Sequence, residues 1–225
     1  MIGKLIYLAR RNPVLSHDEF ATRWCKHAAV VGAGAPEALT EIRSARYCLA
    51  SGTDGYDGVG LLSLASLNSI PSMHRALVGT EVSLADELRT FSTYVKEFAL
   101  YCAEEVVSDT PHTTHALLHF VRRSESIEPT SFASAWRDHA HALERSLDGV
   151  LRRQVLNHVI APAPPGYGFD GVHELWCDSS AAAAGIKAEL VRLRPDVTPW
   201  MAPRTGVVLS TETIFSWPQS GEQTP

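Results

Sequence analysis

His139 and Glu174 are the side chains in this sequence best suited to moving a proton. A neutral imidazole takes or gives a proton near pH 7. Glu174 lies in the run Asp170-Gly171-Val172-His173-Glu174-Leu175-Trp176, where strand alternation puts Val172, Glu174 and Trp176 on one face. A carboxylate between such neighbours is partly desolvated, which raises its pKa and suits it to acid–base work. It is costly there unless paired, and His119, His139 or Asn157 is the partner expected. The catalytic set read from the sequence is therefore His139 and Glu174 as acid and base, with His119 as a relay or positioning group. Trp136 and Trp176 are the expected pocket walls, and Asn157, His158, His27 and Tyr7 complete the substrate-binding set. Each has a plainer structural reading. The helix histidines would hydrogen-bond buried backbone beside Trp24 or Trp136, Glu174 would pair with Arg152 or Arg153, and the tryptophans would be core.

Other chemistries find less support. His112, His115 and His119 fall on a segment expected to be extended. There His115 and His119 stand about 13 Å apart at about 3.3 Å per residue, too far to share one ion. No metal is expected. No glycine-rich phosphate loop leads from a strand into a helix, and no Gly-x-Ser-x-Gly elbow occurs. No cofactor is expected either.

The elements that would position these groups come twice. Leu5, Arg10, Arg11, Phe20, Ala21, Trp24, His27 and Ala28 recur as Leu117, Arg122, Arg123, Phe132, Ala133, Trp136, His139 and Ala140, each pair 112 residues apart. Gly55, Asp57, Gly58 and Val59 return as Gly168, Asp170, Gly171 and Val172, 113 apart. A period near half of a 225-residue chain means two copies of one small domain rather than a solenoid. In the first copy, Lys4 to Arg10 alternates as a strand. Ser16 and Glu19 form a capping box that opens a helix. In the second copy Pro129 takes the first helical position instead. The stripe Phe20, Trp24, His27 and its repeat Phe132, Trp136, His139 hold one helix face.

Each copy continues with an extended segment (43–51 and 152–160) and a strand opening Asp-Gly-Val (57–64 and 170–177). A second helical region follows (71–78 with a further stretch from Leu84, and 180–193), then a closing strand (100–107 and 207–215). Residues 161–168 form a longer, proline-rich loop in the second copy. The order β-α-β-β-α-β occurs twice, the ferredoxin-like pattern. The predicted fold is α+β: two tandem ferredoxin-like repeats, residues 1–110 and 115–217, packed sheet to sheet as an intramolecular dimeric α/β barrel. Residues 218–225 form a polar tail.

A net charge of −5 argues against a nucleic-acid partner, and the arginine pairs are isolated. No run approaches the length of a membrane span, and the N-terminal apolar run is too short for a signal peptide. Four scattered cysteines with no Cys-x-x-Cys favour reduced thiols and a cytoplasmic place.

A strand ending in Arg-Arg, a helix reading Phe-x3-Trp-x2-His-Ala and a Tyr/Phe-Asp-Gly-Val strand together resemble the EthD family of the dimeric α/β-barrel superfamily. The matching residues are Phe20 to Ala28 with Tyr56-Asp57-Gly58-Val59. They return as Phe132 to Ala140, Leu156-Asn157-His158-Val159 and Phe169 to Trp176. The resemblance covers nearly the whole chain and implies a fold that serves several chemistries, so the reaction must be argued from the site. It implies a cofactor-independent enzyme of dehydratase, cyclase, isomerase or decarboxylase type, acting on a small apolar, aromatic or polyketide-like molecule. The first copy would serve mainly to close the pocket. One alternative is a non-catalytic ligand-binding or stress-response barrel, and another a haem-binding protein or cofactor-free monooxygenase. The pseudo-dimer is the expected assembly, with a further homodimer as an option.

Overall fold

The computed structural model describes residues 2–34, 40–52, 55–76, 81–110, 113–193, 200–202 and 206–218. Among the described residues lie eight strands and five helices. They are β1 (Gly3–Ala9), α1 (His17–Gly34), β2 (Ile42–Ala50), β3 (Gly58–Leu64), α2 (Ile70–Ala76), α3 (Glu81–Thr90) and β4 (Ala99–Ser108). The second run is β5 (His115–Val121), α4 (Pro129–Ser146), β6 (Arg153–Val159), β7 (Gly171–Cys177), α5 (Ser180–Arg192) and β8 (Val207–Trp217). The strands pair antiparallel where their registers are described, and the hydrogen-bonded order β1-β3-β2-β8-β5-β7-β6-β4 closes on itself as a barrel.

By contacts the chain forms two compact units. The first holds Met1–Ala103, Ile160–Tyr167 and Thr213–Pro225; the second holds Glu104–Val159 and Gly168–Glu212. The sequence repeats end at 110 and 217, whereas these units exchange the second half of β4, the proline loop and the end of β8. No described helix is long and apolar enough to cross a membrane.

The repeated motif is a packing lock. In the second unit Trp136 of α4 lies on β7 over Gly171, where an added Cβ would stand 2.3 Å from the indole. In the first, Trp24 of α1 lies over Gly58 with a corresponding 2.4 Å. Phe20 stacks on Trp24 at 5.0 Å and Phe132 on Trp136 at 5.4 Å, so the aromatic pair of the helix stripe is core in both copies. The aspartate before each glycine does more than shape a turn. Asp57 Oδ2 accepts the Arg11 backbone N–H at 2.8 Å, and Asp170 Oδ2 accepts that of Arg123 at 2.8 Å. Each carboxylate thereby ties the end of the first strand of its copy to the start of the third, and each also pairs with that arginine's side chain. The four cysteines are free thiols.

Candidate active site

Register decides which predicted site residues can meet. Opposed residues of an antiparallel pair share a face, and neighbours along a strand alternate. In the second unit His119 stands opposite His173, while Leu118 stands opposite Glu174. His119 and His173 therefore project from one face of the sheet and Glu174 from the other. Helix α4 covers the His173 face: Trp136 meets the His173 ring edge-on at 5.9 Å, and Gln154 Nε2 donates to the Ala140 carbonyl at 3.0 Å. The predicted His139–Glu174 pair is thus divided by the sheet itself. Glu174 finds its partners on its own face, where Asn157 Nδ2 donates to Oε1 at 2.8 Å and Trp176 Nε1 to Oε2 at 2.9 Å. Of the partners expected for Glu174, the structure supplies Asn157.

On the helix face a cavity of about 180 Å³ opens within the second unit. His119 and Val208 line it from β5 and β8, and His139 from α4. Lys187, Leu190 and Val191 of α5 contribute at i, i+3 and i+4, and Trp200 and Met201 complete it. The His139 ring lies 5.6 Å from that of Trp200. Every described lining residue belongs to the second unit.

Burial lowers the His139 pKa below the ordinary histidine value, so its neutral form dominates at pH 7. His173, fully buried behind the pocket, is held well below that value by desolvation and by the neighbouring His119 and His139. Its Nε2 lies 2.9 Å from Gln154 Oε1. Gln154 spends its amide donor on Ala140, so His173 must donate from Nε2, which leaves Nδ1 as a bare acceptor without a hydrogen bond.

The remaining predicted residues lie elsewhere. Trp136 is core, and Trp176 holds Glu174; neither lines the cavity, where Trp200 supplies the aromatic wall. His158 Nε2 meets Glu105 Oε2 at 2.9 Å, and Glu105 also takes Arg137 in a partly exposed charge cluster. In the first unit His27, at the position of His139, is 3% exposed, with Nδ1 2.8 Å from Asp86 Oδ2. Arg23 reaches the other oxygen at 2.6 Å. Burial outweighs the aspartate and lowers the His27 pKa, so the neutral ring donates its Nδ1–H to the carboxylate. Tyr7, at the position of His119, accepts from Trp24 Nε1 at 3.0 Å inside a cluster with Tyr47, Phe91 and Phe98. At the two positions where the second copy lines a cavity with histidines, the first copy ties His27 to Asp86 and packs Tyr7 among aromatic rings.

Sequence reasoning missed Lys187 and Trp200. The stripe Lys187, Leu190, Val191 was readable on the predicted helix, but it pointed to no particular strand. Trp200 is brought in by the bridge between Arg123 and Met201, a pairing with no local sequence signal. Among the described residues no group of three or more His, Cys, Asp or Glu side chains is arranged to hold a metal ion, and His112 lies outside those residues. The histidine cavity itself is small for haem. The cavity of about 180 Å³ lies below the roughly 300–1,000 Å³ of sites for drug-sized ligands, and a tetrapyrrole is at least drug-sized.

No family model matches the chain, and no curated protein does. Solved structures do match in shape. An anthrone oxidase-like protein aligns with a TM-score of 0.63 at 11% identity, over 96% of this chain and 92% of its own. A chlorite dismutase variant from Candidatus Nitrospira defluvii aligns at 0.55 with 11% identity, over 95% and 92%. A candidate monooxygenase from Fusobacterium nucleatum aligns at 0.55 with 5% identity, over 96% and 92%. At such identities the likeness reports fold, and the fold of this chain is that of the dimeric α/β barrel.

Proposed function

We propose that the protein is a proton-transfer enzyme for a small, largely apolar aromatic molecule bound in the His119–His139 cavity of the second unit. The observation that carries this reading is the meeting of two imidazoles, from a strand and from a helix, in one otherwise mainly apolar pocket. His139, kept neutral by burial, accepts a proton from an acidic C–H or O–H of the ligand. His119, across the same cavity, delivers a proton or a hydrogen bond to the oxygen where charge develops. Trp200, Leu190 and Met201 exclude water, which strengthens both interactions. Glu174, expected from sequence as the partner base, is assigned a structural role. Dehydration, isomerisation, cyclisation and decarboxylation all begin or end with such a transfer.

Oxygenation of an aromatic carbanion by dioxygen is a second reading, favoured by the neighbour described as anthrone oxidase-like. It starts from the same proton removal. Titration with phenol, followed through the histidine ring resonances, tests the site. The His119 and His139 resonances should shift together and saturate. Binding of phenol by a His139→Ala variant with loss of proton exchange at an activated C–H ligand supports catalysis. Unmoved histidine resonances at saturating phenol would overturn the reading.

A further inference from the structure

The cavity is electrostatically one-sided. The groups on its wall able to carry charge are His119, His139 and Lys187, all potential cations, and no carboxylate lines it among the described residues. The first unit makes the opposite choice at the same helix histidine, closing His27 against Asp86. Lys187 is exposed and Leu190, one helical turn on, is 7% exposed. The helix α5 stripe therefore runs from a charged, solvent-facing end to an apolar one. Size narrows the occupant further. The cavity measures about 180 Å³, and an apolar cavity of roughly 150 Å³ is known to admit one benzene ring.

Resting on the proton-transfer reading above, we infer that the ligand is a one-ring aromatic carboxylate. Its ring lies against Trp200 and Leu190, and its anionic head lies at the Lys187 end. Lys187 is then a specificity residue: its ammonium selects the charged ligand over an uncharged one of the same shape. A fused multi-ring polyketide exceeds the space.

Calorimetric titration of the full chain with benzoate and with benzamide, its uncharged counterpart, tests this. His139 ring resonances report whether each binds in the pocket. Benzoate should bind the tighter, and added salt should weaken it while sparing benzamide. Lys187→Met should cost benzoate about fivefold in affinity and leave benzamide unchanged, whereas Lys187→Arg keeps most of the preference. Lys187 is exposed and methionine is a good helix former, so the variant retains the fold. If benzamide shifts His139 as well as or better than benzoate, the anion preference falls while the pocket stands. If Lys187→Met weakens both alike, the role of Lys187 falls. If neither ligand reaches His139, the pocket reading and this inference fall together.

Discussion

His139 and His27 occupy equivalent places in the two repeats, and their neighbours decide what each can do. An aspartate at 2.8 Å and an arginine behind it commit His27 to a buried hydrogen bond. His139 has burial without such a lock and faces a cavity. Glu174 looks reactive in the sequence for a sound reason, since a mid-strand carboxylate is desolvated, and it is indeed 2% exposed. What the sequence withholds is the register, because one residue of parity moves a side chain to the other side of a sheet. Glu174→Gln should therefore cost about 1–3 kcal/mol in urea unfolding. Asn157 and Trp176 donate to different oxygens of Glu174, and the amide offers one oxygen and one NH2, so one of the two donors would face another donor. Phenol binding at His139 should be unchanged; loss of binding without loss of stability would return Glu174 to the site. The histidines also set a pH dependence. His27, His139 and His173 all have folded pKa values below 6.5. Below that value the unfolded chain binds more protons than the folded one, so stability rises with pH there. Unfolding free energy should hold above pH 6.5 and fall as the solution is acidified through the folded values. His173→Asn, less stable overall, should show a shallower fall, and an unchanged slope would contradict the assignment to His173.

The elements were the most legible part of the sequence. Alternation in Lys4 to Arg10, the Ser16–Glu19 cap and Pro129 at a helix start place β1, α1 and α4 within a residue or two, because these signals are local. The Asp-Gly pairs were legible as strand starts, yet their reason was not local. Glycine is required at Gly58 and Gly171 because a tryptophan from a distant helix rests on each. Gly171→Ala should accordingly destabilise by about 2–3 kcal/mol through overpacking, since the fully buried indole of Trp136 has nowhere to retreat. Gly168, with open space around its Cβ position, is the control, and Gly168→Ala should be nearly silent. Thermal unfolding of the two variants compares them directly; equal melting temperatures would remove the lock.

At the scale of the molecule, duplication was plain from 112-residue spacing, but the exchange of segments was not. The first unit includes residues far along the chain: Phe215 lies 4.9 Å from Tyr47, ring to ring, and Tyr167 lies 6.3 Å from Phe98. A fragment of residues 1–110 lacks both rings, so alone it should give a poorly dispersed NMR spectrum and recover dispersion when mixed with residues 111–225. A cooperatively melting 1–110 monomer would contradict this. Where a ligand settles is the sharper question, since two repeats and two sheet faces offer four places. A crystal grown with 4-bromophenol and measured at the bromine absorption edge answers it. The anomalous peak is expected in the second unit, between His119, His139 and Trp200; a peak beside Glu174 and Trp176, or only beside His27, would contradict the assignment of the site.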